Sequence, residues 1–163
     1  MKKLILVLLV LLSLCSCTKN EVSPRLKGIS FTAELTYFNE EYVFDTTVQK
    51  DGTLTAYMKE PKELEELKLT VNTDGITADY KGLIYSANEA TMPFSRIMED
   101  FYLPLRRLMD EGSMSADKDG KISGKIGESE YILTVSPTGL PQKLELPAEH
   151  ITVKFYNVTI KEE

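Results

Sequence analysis

One stretch limits the folds open to this chain: residues 92–112, MPFSRIMEDFYLPLRRLMDEG, the only long amphipathic helix it can make. Phe94, Ile97, Met98, Phe101, Leu105, Leu108 and Met109 recur at three-and-four spacing, which puts them on one face. Ser95, Arg96, Glu99, Asp100, Arg106, Arg107 and Asp110 fall on the other. The spacing predicts a helix over about 92–111, ended by Gly112. Pro104, inside the pattern, predicts a kink or two helical pieces, because proline removes a backbone hydrogen bond and crowds the preceding turn. A helix greasy on one side needs an apolar surface to lie on.

The rest of the chain supplies that surface in short segments of period two. Ile29, Phe31, Ala33, Leu35 and Tyr37 alternate with Ser30, Thr32, Glu34 and Thr36, the pattern of a strand with one wet face. Tyr42, Phe44 and Val48 continue it after a turn at Asn39-Glu40, and Leu54, Ala56 and Met58 follow Asp51-Gly52. Leu67, Leu69 and Val71 lead to a second hairpin at Asp74-Gly75, then Ile76, Ala78 and Tyr80, then the short apolar piece Gly82 to Tyr85. Beyond the helix come a third Asp-Gly turn at Asp119-Gly120, Tyr131, Leu133 and Val135, the turn Pro137-Thr138-Gly139, and two closing strands. Glycine tolerates the positive φ that such tight turns need. In the last strand Ile151, Val153 and Phe155 are out of phase with Tyr156, Val158 and Ile160, so a bulge is expected near Phe155. Together these give a mainly β (α+β) domain over 28–163: a single curved antiparallel sheet, a half-open barrel, covered by one kinked amphipathic helix.

The first residues belong to something else. Lys2 and Lys3 precede an unbroken apolar run from Leu4 to Leu12, too short to span a bilayer and suited to a signal-peptide core. Leu14-Cys15-Ser16-Cys17 resembles the bacterial lipobox, with small Ser16 before Cys17 and Leu14 three positions back. The resemblance implies removal of residues 1–16, a diacylglycerol on Cys17, and an extracytoplasmic protein anchored by lipid to a bacterial membrane, at the cell surface or on the periplasmic face. Residues 17–27, polar and interrupted by Pro24, read as a tether. Thr18 stands where inner-membrane retention in Gram-negative bacteria would want Asp.

Composition narrows the function. Of the two cysteines, Cys15 leaves with the signal and Cys17 takes the lipid, which excludes disulfides, thiol catalysis and cysteine metal sites from the domain. Loss of Lys2 and Lys3 takes 19 cationic residues to 17 against 25 acidic ones, a charge of −8 that disfavours nucleic acid. His150, the single histidine, has Glu149 beside it but no nucleophile motif in the chain, and reads as a surface or edge residue. Ser115 to Ser123 resembles part of a calcium loop, but Ile126 occupies the place of its bidentate Glu, so a hairpin turn is the better reading. The carboxylates cluster on helical polar faces as solvated charge, as do Arg96, Arg106 and Arg107, whose sharper alternative is to hold a lipid phosphate. No catalytic residue, metal site or cofactor is expected.

The apolar set carries the stronger functional expectation. Phe31, Leu35, Tyr37, Tyr42, Phe44, Met58, Met98, Phe101, Met109, Tyr131 and Phe155 should meet between sheet and helix, as a plain core or as the lining of a hydrophobic cavity. Flexible Met and amphipathic Tyr adapt well to a bound acyl chain. A lipidated cysteine, a one-layer antiparallel meander and a helical lid resemble the bacterial lipoprotein-carrier superfamily of LolA and LolB. The run from Tyr131 to Leu146, a strand, a polar-Gly turn, Pro and an alternating strand, carries the likeness best. The resemblance implies a curved half-open barrel that holds acyl chains under helices, hence a lipid or other apolar ligand. The chain lacks the family's initial amphipathic helix and has no Trp, which implies a smaller, shallower relative. The alternative is a non-catalytic interaction or assembly module of the cell envelope with a filled core and a protein partner.

Overall fold

The computed structural model of the protein describes residues 20–87, 93–110, 112–126 and 129–161. The expected signal peptide and lipobox, Cys17 included, lie outside them, as do the side chains of residues 93–100, Met98 among them.

Among the described residues twelve strands and one α-helix follow in order. The first half holds β1 (Asn20–Val22), β2 (Ile29–Tyr37), β3 (Glu40–Val48), β4 (Leu54–Glu60), a 3-10 turn at Lys62–Leu64, β5 (Leu67–Asn72), β6 (Gly75–Tyr80) and β7 (Leu83–Ala87). Helix α1 (Pro93–Asp110) comes next, then β8 (Met114–Ala116), β9 (Lys121–Ile126), β10 (Ser129–Val135), β11 (Pro141–Leu146), a second 3-10 turn and β12 (Ile151–Ile160). Ten strands form one antiparallel sheet in the order β7-β6-β5-β4-β3-β2-β12-β11-β10-β9, and β1 pairs separately with β8. Only the β2–β12 neighbours depart from a plain meander, joining the two ends of the domain (Ile29 opposite Ile160, Tyr37 opposite Ile151).

Alternation explains the layering. In β2 the residues Ile29, Phe31, Ala33 and Leu35 are all at or below 3% exposure, while the intervening positions are partly open. A flat sheet of ten strands would be roughly 43 Å wide at ~4.8 Å per strand. Ile76 near one edge and Ile122 on the other nonetheless belong to a single buried core, so the sheet bends around what it covers. Phe101, Tyr102, Leu105 and Leu108 of α1 fill the concave side with Leu26, Met114 and Ala116. Full burial of such side chains stabilises the fold by about 1.5–3 kcal/mol each.

The single antiparallel sheet is as expected and is not closed into a barrel, with β7 and β9 as its edges. Two expectations need correction. The helix is not kinked, and α1 runs through Pro104 without a break. Pro104 is itself buried, with buried Phe101 and Tyr102 before it and Leu105 and Leu108 after it. Burial of these residues before and after Pro104 offsets the single hydrogen bond that the proline removes. Nor are residues 20–27 a free tether, since β1 is paired, Leu26 is 1% exposed and the Arg25 amide donates to the Gly139 carbonyl at 2.8 Å. The slip in the last strand is real and lies at Tyr156–Thr159, with Asn157 at φ 52°, a conformation asparagine tolerates.

Candidate apolar ligand site

Most of the residues expected to line a cavity are packed. Phe31, Leu35, Phe44, Met58 and Phe101 keep at most 3% of their surface, and Tyr131 and Phe155 keep 5% and 7%. A void large enough for a methylene group would leave its walls accessible, and these walls are not. Phe155 meets Phe31 edge-on at 5.0 Å and Phe101 at 6.4 Å, so the three rings close the middle of the layer. Tyr131 stands directly opposite Gly124, and a Cβ there would collide with its ring, so the glycine makes room for the aromatic. Tyr37 and Met109 are half-buried at the margin of the core. Among the described residues the centre of the expected site is closely packed.

The concave face nevertheless runs out from under its cover at the β7 edge. In antiparallel pairs directly opposed residues share a face, so Leu67, Tyr80 and Leu83 lie together, and Leu69, Ala78 and Tyr85 beside them. Their burial falls steeply across three strands: Leu69 is 2% exposed, Ala78 and Tyr80 are half-buried, Tyr85 is 44% exposed and Leu83 is 75% exposed. The result is an apolar ledge continuous with the core. The Tyr80 hydroxyl donates to the Glu63 carbonyl at 2.8 Å, which pins the ledge to the Lys62–Leu64 turn. Lys81 stands at the rim, its ammonium 5.1 Å from the centre of the Tyr80 ring and 3.7 Å from the Glu66 carboxylate. Its contact with Tyr80, more than the Glu66 charge, holds the Lys81 pKa above the ordinary lysine value.

Sequence reasoning passed over Leu83 and Tyr85 as a minor apolar piece. The available signal was Leu83-Ile84-Tyr85 itself, apolar on both faces, a pattern it shares with Tyr42-Val43-Phe44 and Tyr131-Ile132-Leu133. On the outer face Ile84 is 70% exposed.

The other candidates are accounted for locally. Asp117 closes the third Asp-Gly hairpin by accepting from the Asp119 and Lys121 amides at 2.8 and 2.9 Å, with the Lys121 bond the main cause of its lowered pKa. Among the described residues no group of three or more His, Cys, Asp or Glu is placed to hold a metal ion. The His150 ring lies on the exposed Phe38 ring at 4.6 Å, and the Ser129 hydroxyl donates to Glu149. Arg106 donates to the Tyr102 hydroxyl at 3.3 Å, and that hydroxyl in turn donates to the Gly52 carbonyl at 2.8 Å, tying the helix to the β3–β4 turn. Surface depressions of about 260, 240 and 330 Å³ lie by the β8–β9 turn, on the outer face near Tyr57, and between Gly124, Tyr131 and Pro147. Among the described residues no helix is long and apolar enough to cross a membrane. No protein-family model matches the chain, and no curated protein is significantly similar to it.

Proposed function

We propose that this is a bacterial envelope lipoprotein, anchored through Cys17 outside the cytoplasm, that holds or passes on a lipid or other apolar molecule. The ligand lies along the inner ledge of β5–β7, in the manner of a small, shallow relative of the LolA and LolB carriers. One observation carries this reading: the inner face stays apolar beyond its cover, with Leu83 at 75% and Tyr85 at 44% exposure. Exposing such surface is unfavourable unless something occupies it. Lys81 at the rim suits an anionic headgroup.

A second reading has its own observation. Ile84 projects from the opposite face of the same edge strand, and Leu83 to Ala87 carries no charge that would discourage pairing. Such an edge accepts a strand from a protein partner. Titration of the mature protein with a fluorescent acyl probe separates the two. The lipid reading expects saturable binding, a loss of tenfold or more in the double variant Leu83→Glu/Tyr85→Glu, and no change in Ile84→Lys. Absence of saturable binding, or unaltered binding by the double variant, would overturn it and leave strand addition as the better account.

A further inference from the structure

Residues 20–27 enter the domain at one end of the sheet and are held there. Val22 opposes Met114, the Arg25 amide bonds the Gly139 carbonyl, and Lys27 reaches Asp110 at the end of α1 at 2.8 Å. A Cβ on Gly139 would collide with the Ser23 carbonyl, so the two backbones pass in direct contact. The turns Gln49–Thr53, Thr73-Asp74, Asp117–Gly120 and Ser136–Leu140 share this end. The opposite end holds Phe38, the Lys62–Leu64 turn and the Lys81-Gly82 tip beside Leu83.

We propose that the first of these ends rests on the headgroups of the bilayer that carries the Cys17 lipid, and that the end with Phe38 and Leu83 faces away. The inference rests on the reading of Cys17 as lipidated. Length decides it. Only three peptide steps separate Cys17 from Asn20, at most about 10 Å of extended chain. The acyl chains must lie in the hydrocarbon, and each headgroup layer takes about 5–8 Å. The remaining slack is a few ångström, too little for the domain to lift off or turn over.

Charge points the same way. At the anchored end the described acids Glu21, Asp51, Asp74, Asp110, Asp117 and Asp119 are matched by Arg25, Lys27, Lys50, Lys118, Lys121 and Lys161, with Asp110 paired to Lys27. At the far end Glu40, Glu41, Glu60, Glu63, Glu65 and Glu66 outnumber Lys59, Lys62 and Lys81. An anionic membrane surface repels the second end more than the first. The nine residues of β2 span about 30 Å at ~3.3 Å each, less any tilt. The ledge at Leu83 therefore stands well above the anchoring bilayer, and its ligand is exchanged with a protein or membrane other than the one that holds the protein.

The chain has no Trp, so a single introduced indole reports its own depth. Thr138→Trp and Asn39→Trp mark the two ends at exposed positions. The processed lipoprotein is reconstituted in phosphatidylcholine–phosphatidylglycerol vesicles that carry a spin label on the headgroup. Quenching of Thr138→Trp should exceed that of Asn39→Trp severalfold, and a long Gly/Ser insertion between Thr18 and Lys19 should erase the difference. Equal quenching, or stronger quenching of Asn39→Trp, would overturn the orientation. The mass of the mature N-terminal peptide tests lipidation separately. Coupling of residues 17–163 through Cys17, its sole cysteine, to a maleimide phospholipid tests the geometry even if natural lipidation fails.

Discussion

The middle of the concave face and its β5–β7 margin are built from the same kinds of residue and end in different environments. Phe44 and Met58, in the core, keep 2% and 0% of their surface; Tyr85 and Leu83, on the same side of the same sheet, keep 44% and 75%. Alternation put all four on one face. Cover separates them, since an 18-residue helix about 27 Å long cannot shield ten strands. An apolar residue on the inner face is thus core where a second layer reaches it, and candidate site where none does. The two sheet edges repeat the contrast: β9 carries Lys121 and Lys125, which discourage further pairing, whereas Leu83 to Ala87 carries no charge.

The sharpest way to break this comparison is to truncate one residue from each region. Phe44→Ala should cost about 3–5 kcal/mol of unfolding free energy through lost transfer and a residual cavity. Leu83→Ala should stay within about 0.5 kcal/mol. Urea unfolding with unchanged slopes measures both, and a Leu83→Ala cost near that of Phe44→Ala would show that the margin is covered. Next, Leu26→Ala should cost about 2–4 kcal/mol, because a residue 1% exposed is part of the core and not of a tether. A neutral result would return residues 20–27 to the status of a free leash and remove the basis for the proposed orientation. Below that, Tyr102→Phe should cost about 1–2 kcal/mol by leaving the buried Gly52 carbonyl without its hydroxyl donor. The same variant should speed amide exchange in the Gln49–Thr53 turn, which locates the loss at the place where the helix is tied down.

Acid should loosen the turns and the helix end before the core. The carboxyl of Asp110 titrates below its ordinary value chiefly through its hydrogen bond to Lys27, and that of Asp51 through the Thr53 amide. Each folded-state value is depressed, so the stabilisation is fully present above the ordinary carboxylate pKa and is lost as pH falls through the folded one. Tyr42 moves the other way, pushed up to about 12 by its hydrogen bond to Glu40.

Local chemistry in the sequence was sufficient for the strands of the large sheet, the three Asp-Gly turns and the helix, but not for β1, which it read as part of a tether. Period-two burial in β2 and β10 follows directly from their alternation, and α1 spans Pro93–Asp110 within the stretch its apolar spacing marked. These features depend on residues a few positions apart, whose energies are set before any long-range contact forms. Whether Pro104 bends the helix, whether residues 20–27 dock, and which apolar residues are covered depend on partners far away in the chain: Phe101 against Phe155, Ser23 against Gly139, Leu83 against nothing that buries it. Burial is a property of the second layer, and only the tertiary structure decides how far that layer extends.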